Sequence, residues 1–355
     1  QLIALTITLA AATAWGNQEA ANLNEGWRFA RFVTMPDGSE KAEPSGKERN
    51  SFDDSGWRVL IVPQDWGIEG PFSDELPNRT GKLPWAGIGW YRKTVDAPAT
   101  DAGKKIFIDF DGAMSNSRVW LYGEYIGEWP YGYSSFRLEL SKHWKPGEKN
   151  LIAVRLDNKP DSSRWYPGGG IYRNVRLVKT AQTHVDHWGI FVTTPEVSKT
   201  SATVSIKTEV SGADENTTVH HEILETGDTG SGTACSIPLE NPSLWNPETP
   251  NLYTLRTTVK QDGEVVDTIE TTFGVRSVKY TEDGFVLNGE KVRMNGVCQH
   301  HDLGPLGAAV NIRAMERQIE ILQEMGCNAI RTAHNPPAPE LLDLCDRMGM
   351  LVQVE

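Results

Sequence analysis

Close to the C-terminal end of this chain, Arg331 stands three residues before His334, and Asn335 follows directly. A guanidinium fixed at the end of a strand can hold a carboxylate through two parallel hydrogen bonds and keep it ionised. A structural ion pair is the plainer use of the same side chain. His300 and His301 form a second candidate group. Neighbours on a strand point to opposite sides, so only one of the two can face a shared site, and no third ligand is evident for a metal. Arg164-Trp165-Tyr166 is a third group. An aromatic face offers packing to C–H surfaces and the guanidinium donates to hydroxyls. Simple packing of Trp165 and Tyr166 between domains is the alternative. The four cysteines, Cys235, Cys298, Cys327 and Cys345, form no C-x-x-C pair, so neither zinc nor redox chemistry is indicated. Spacing gives no disulfide connectivity, and Cys298, Cys327 and Cys345 are expected to be buried free thiols.

The elements that must position these groups change character along the chain. Residues 22–182 read as all-β. Ile106, Ile108 and Phe110 alternate with polar neighbours, as do Ile152, Val154 and Leu156. Asp111-Gly112, Tyr122-Gly123 and Pro146-Gly147 supply turns. Two packed antiparallel sheets, as in a jelly roll, would bury such strands. Trp27, Trp57, Trp66, Trp90 and Trp120 are expected to fill these cores. Residues 183–276 form a second all-β stretch. Val204, Ile206 and Thr208 alternate, and so do Tyr253, Leu255, Thr257 and Val259. Its length suits one immunoglobulin-like sandwich of roughly 100 residues.

From 277 to 355 the period changes. Val292 to His300 reads as a strand. Asn311 to Met325 reads as a helix, with Ile312, Met315, Ile319, Leu322 and Met325 three and four apart. A short strand at 328–332, a helix opened by Pro339 and closed by Gly349, and a strand at 350–354 follow. Strand–helix–strand–helix–strand is the parallel α/β pattern.

The 355 residues allow two or three domains. Hydrophobic residues at 39% and charged residues at 23% are the balance of a globular chain. A net charge of −12 argues against nucleic acid as a partner. Residues 2–14 are apolar but too short to span a bilayer. Residues 1–14 read instead as the remnant of a signal peptide, with Ala12-Thr13-Ala14 as the cleavage site. Export to the periplasm or the outside is therefore expected. The missing Met and basic segment before Gln1 read as truncation there.

In order, these motifs resemble glycoside hydrolase family 2, the β-galactosidase, β-glucuronidase and β-mannosidase family. Leu23 to Phe29, Phe52 to Trp57, Val62 to Trp66, Trp90 to Lys93, and Val119 to Gly123 resemble its first domain. Arg164 to Arg173 is the most specific of the N-terminal matches. Phe273 to Arg276, Gly296 to His301, and Asn328 to Pro336 resemble the entry into its barrel. The resemblance implies a jelly-roll sugar-binding domain, an immunoglobulin-like sandwich and a (β/α)8 TIM barrel, here incomplete. It implies a retaining mechanism with one Glu as acid/base and another as nucleophile. Both would follow later barrel strands, beyond Glu355, so the chain as given is expected to be inactive.

The same resemblance assigns His300 and His334 to sugar hydroxyls or to support of the carboxylates. It aims Arg331 at the nucleophile's carboxylate and places Asn335 in the pocket. It brings the Arg164–Trp165 loop to the barrel mouth. Its match favours His300 over His301, which is expected on an exposed loop. No cofactor is implied in this chain, and room is left for a divalent cation and a homo-oligomer in the full-length enzyme. The partner is a β-glycoside or oligosaccharide, a galactoside first, with a glucuronide or mannoside next. Met114 stands where some β-galactosidases place a sugar-contacting Asn, and Thr332-Ala333-His334-Asn335-Pro336 replaces a Ser-His-Tyr-Pro form. The competing reading is a non-catalytic, secreted carbohydrate-binding protein built of β-sandwiches. It accounts for residues 1–276 equally well but not for the α/β pattern that follows.

Overall fold

The computed structural model describes residues 14–15, 18–35 and 37–355. The apolar stretch read as a leader lies outside them, apart from the strand Ala14–Trp15. Two antiparallel sheets make up the first unit. One runs in the order 14–15, 18–22, 175–180, 105–110, 136–139. The other runs 40–41, 27–34, 87–96, 149–158, 117–121, 124–129, with 58–60 added beside 27–34. Period-two alternation turns Ile106, Ile108 and Phe110 of one sheet toward Ile152, Val154 and Leu156 of the other, and all six are essentially inaccessible.

Trp27 and Trp66 join that core. Trp90, Trp120 and Trp57 do not. Tyr91 points inward, so its neighbour Trp90 must point outward. There it stacks on Trp120 at 5.2 Å and shares a smaller cluster with Phe32 and Trp57.

The second unit packs a three-stranded sheet (184–197, 201–211, 234–240) on a four-stranded one (229–231, 217–223, 253–261, 264–273). Val204 and Ile206 meet Ile223, Tyr253 and Leu255 in its core. A three-stranded antiparallel sheet, 278–281, 284–287 and 290–291, then leads into the last unit. The long strand expected from Val292 to His300 is therefore shorter, at Gly296–Gln299. The residues before it are used up by that small sheet and its connection.

Three parallel strands follow, Gly296–Gln299, Ala329–Thr332 and Leu351–Gln353, paired in that order. Helix α1 (Ile312–Glu324) joins the first to the second, and α2 (Pro339–Met348) joins the second to the third. The Asn311 side chain caps α1 by accepting from the Ala314 amide at 3.0 Å. Pro339 opens α2 at a position where its missing N–H costs nothing. Met315 and Ile319 of α1 and Leu341, Leu344 and Cys345 of α2 bury against Ile330 and Met350. Ile312 and Met325, at the ends of the α1 stripe, stay exposed. Parallel β/α winding sets the chain apart from a protein made of sandwiches alone.

The units are joined by charge as well as by packing. Arg176 of the first unit donates to Asp111 at 2.6 Å and to Glu340 of α2 at 3.3 Å. Asn174 donates to the same Glu340 oxygen. Burial raises the Asp111 carboxyl to about 6, and the nearby Glu340 adds to this against the opposing pull of Arg176. An unfolded Asp titrates near 4. The folded state thus holds this proton more tightly, and the resulting stability is present below about pH 4 and lost as pH rises through 6. Asp111→Asn is expected to flatten that slope. The difference in unfolding free energy between wild type and variant should change by on the order of 2–3 kcal/mol between pH 4 and 6.5, and by nothing further above it, as read by urea unfolding across pH.

Candidate functional site

The site lies where the C-terminal ends of the parallel strands meet the first unit. On Ala329–Thr332, Ile330 packs toward the helices, so Arg331 must point to the opposite, concave face. Its register partner Cys298 lies on that face too, and Arg331 Nη1 donates to Cys298 Sγ at 3.3 Å. Gln299 points the other way and donates to Gln318 on α1 at 2.6 Å. One residue on, His300 returns to the concave side. Its ring lies 5.7 Å from that of His334, edge to face, and 5.4 Å from that of Trp165.

Arg331 and His334 hold a carboxylate in this structure. His334 Nδ1 donates to Glu355 Oε2 at 2.9 Å, and Arg331 is ion-paired to the same oxygen. The His334 hydrogen bond, followed by the positive charge of Arg331, lowers the Glu355 pKa. The Glu355 carboxylate stands in here for any carboxylate the pair could hold.

The first unit supplies the rest. Arg164 and Trp165 are exposed and, with Tyr131, Tyr133, His334 and Asn335, line a cavity of about 210 Å3. Tyr131 donates to Asn335 Oδ1 at 3.3 Å. His301 lines this cavity too, whereas His300, the expected one of the two, reaches it only through its ring contacts. Arg331 reaches it only through His334 and Glu355. Its own guanidinium opens on a larger hollow, about 820 Å3, along the concave strand face.

Two buried groups hold the two sides in register. Arg173, 1% exposed, donates to the carbonyls of Asp111 and Tyr133 and to those of Pro336 and Pro337, at 2.9–3.2 Å. The second pair of carbonyls belongs to the loop that begins with His334 and Asn335. Asp65, 2% exposed, accepts from Gly67, Tyr166 and Gly169 of the first unit and from the Ala308 amide of the last, at 2.7–2.9 Å.

Three expectations are corrected. His301 is not an exposed loop residue. It is half-buried, edge-on to Tyr133 and Tyr172, with Nε2 3.2 Å from the Pro167 carbonyl. Burial lowers its pKa to about 4, helped by Arg173, so it is neutral at pH 7. Cys298 is a free thiol but exposed, because it sits on the concave face. Cys327 is partly exposed, and only Cys345 is buried, which lifts its thiol to about 12. The two readings of Trp165 and Tyr166 divide between the two residues. Tyr166 packs and bonds to Asp65, while Trp165 remains open to the cavity. Met114 is buried beside Tyr133, Tyr172 and Ala308, filling the contact between units.

Tyr131, Tyr133, Asp65 and Arg173 were not singled out as site residues by the sequence. Arg173 and Asp65 carried a signal, as members of the 164–173 and 62–66 motifs. Among the described residues no three His, Cys, Asp or Glu side chains converge as metal ligands.

A jelly-roll-like unit, a sandwich and a parallel β/α unit, with basic and aromatic side chains gathered at the strand ends, define a multidomain barrel-type protein with its pocket between domains. The family models agree. "Glycosyl hydrolases family 2" matches residues 173–276, and "Glycosyl hydrolases family 2, TIM barrel domain" matches 278–355. The chain belongs to glycosyl hydrolase family 2. It is 46% identical to the β-galactosidase BoGH2A of Bacteroides ovatus, over 95% of this chain and 41% of that protein. It is 39% identical to a putative β-glucuronidase of Formosa agariphila, over 94% of this chain and 32% of that one. The crystal structure of a β-glycosidase from Bacteroides vulgatus superposes with a TM-score of 0.86 at 36% identity, covering 94% of this chain and 44% of that one. The chain thus spans well under half the length of these relatives.

Arg173 gives the direct test of how the site is held. A lysine ammonium in its place cannot span carbonyls on both sides of the unit boundary. Arg173→Lys is expected to lower the unfolding free energy by roughly 3 kcal/mol, since charged hydrogen bonds to buried carbonyls are lost. It should also speed exchange of the Ala333 amide, which opens the same loop by donating to the Gln299 carbonyl at 2.9 Å, the two effects being read by denaturant titration and hydrogen exchange.

Proposed function

We propose that this chain is the N-terminal part of an exported, exo-acting, retaining β-glycosidase that cleaves O-glycosidic bonds, with β-galactosides as its preferred substrates. The observation that carries the proposal is the Arg331–His334 pair at the end of the second parallel strand, already gripping a carboxylate. In a retaining glycosidase one carboxylate must stay ionised to attack the anomeric carbon while the other is held protonated to release the leaving oxygen. A guanidinium and an imidazole donor on one carboxylate oxygen favour the ionised form. Arg331 and His334 would do this for the nucleophile once it is supplied by a later strand.

His300 would then offer a hydrogen bond to a sugar hydroxyl. Trp165 would offer its ring to the sugar's C–H face, and Arg164 and Asn335 would complete the rim. Both catalytic Glu residues would lie beyond Glu355, where the remaining strands would close the barrel. The 46% identity to a β-galactosidase supports the galactoside preference; the putative β-glucuronidase makes glucuronides the next substrate to try.

Chromogenic β-galactoside and β-glucuronide assays test this on the complete protein and on residues 1–355 alone. The complete protein should hydrolyse the galactoside faster, and the isolated chain should release no chromophore above the buffer blank. Turnover by residues 1–355, or a glucuronide preference in the complete protein, would contradict the proposal. Arg331→Met in the complete protein should lower kcat/KM by about 100-fold or more, as expected when a preorganised electrostatic contact to the reacting centre is lost.

A further inference from the structure

Asp65 lies at the meeting point of three chain segments and takes no part in the contacts assigned so far to the pocket itself. Every one of its neighbours donates. The amides of Gly67 and Gly169 point at Oδ1, at 2.8 and 2.9 Å. The Tyr166 hydroxyl and the Ala308 amide point at Oδ2, at 2.7 and 2.8 Å. Backbone was cleared to admit it. A Cβ at Gly307, whose φ is +60°, would collide with Oδ2, and one at Gly168 would come within 2.8 Å of it. Tyr166 is the next residue after Trp165, and Ala308 sits in the loop that follows His300 and His301.

We propose that Asp65 is a positioning residue. It ties the Arg164–Trp165–Tyr166 loop to the barrel loop at Ala308 and so holds Trp165 in ring contact with His300 at 5.4 Å, as one wall against which a sugar would rest. The inference rests on the glycosidase reading for its effect on substrate, and on hydrogen bonding alone for the tie itself.

The geometry makes an informative variant available. Asp65→Asn keeps the shape but replaces one acceptor oxygen by an NH2 group. That group cannot face the Gly67 and Gly169 amides, which are both obligate donors. It can face Tyr166, whose hydroxyl turns to accept, and this leaves Ala308 N–H without an acceptor. The substitution therefore cuts the link to the barrel while sparing the links inside the first unit.

In the complete enzyme, Asp65→Asn should raise KM for a chromogenic β-galactoside about tenfold with kcat changed less than about threefold, the pattern of lost binding rather than lost chemistry. If Asp65 acts through Trp165, then Asp65→Asn and Trp165→Ala must be non-additive. The double variant should have a KM no more than about twofold above that of Trp165→Ala alone. Additive effects, or an unchanged KM, would overturn the proposal.

Hydrogen exchange of the Ala308 amide is the second readout, and it requires no activity. At least about tenfold faster exchange in Asp65→Asn supports the tie, and unchanged exchange refutes it. Should Asp65→Asn fail to fold, Tyr166→Phe removes a single donor and is expected to give a smaller KM rise, again non-additive with Trp165→Ala. Absence of glycosidase activity in the wild type would remove the functional reading and leave the Ala308 result to judge the tie.

Discussion

One guanidinium docks the strand-end loop of the pocket on the first unit. Arg173 is buried at the boundary between the first unit and the parallel strands, and its hydrogen bonds run to backbone carbonyls on both sides. A buried charge of this kind is tolerable when its charged donors are largely taken up, and both terminal nitrogens of Arg173 are, while Nε alone has no partner among the described residues. The cheapest arrangement that takes them up also fixes the Pro336–Pro337 backbone against that of Tyr133. His334 and Asn335 are thereby held opposite Tyr131, Tyr133 and the 164–166 loop. The pocket is a product of that docking, since neither side encloses it alone.

Alternation within the parallel strands does the remaining work. Because Ile330 must reach the helices, Arg331 is delivered to the concave face. Because Gln299 meets Gln318, His300 is delivered to the same face as Cys298. The placement of these side chains thus follows from packing behind the strands: moving either strand by one residue would turn the charged groups into the layer that faces the helices. The left-over carboxylate at Glu355 illustrates the result, gripped by Arg331 and His334 although it is otherwise exposed.

Much of this was legible in the sequence where a local rule suffices. The alternation of Ile106, Ile108 and Phe110 and the helical spacing of Met315, Ile319 and Leu322 depend on neighbours close in the chain, and they read correctly. The placement of Arg331 and His334 at a strand end was legible because they close a short apolar strand. What could not be read depends on partners far away. Tyr131 meets Asn335 across 204 residues, and Asp65 meets Ala308 across 243. His301 looked exposed because its partners Tyr133, Pro167 and Tyr172 all belong to another domain. Trp90 and Trp120 looked like sandwich core because an aromatic count carries no information about facing. Cys298 was expected to be buried as free thiols commonly are, and residue type does not reveal which side of a strand is open.

The most direct test is a crystal structure of the complete protein with the monosaccharide product bound. The account predicts a sugar with a hydroxyl within hydrogen-bonding distance of His300, its C–H face on Trp165, and a carboxylate from a later strand held by Arg331 and His334. A sugar seated elsewhere, or an Arg331 turned away from any carboxylate, would contradict it.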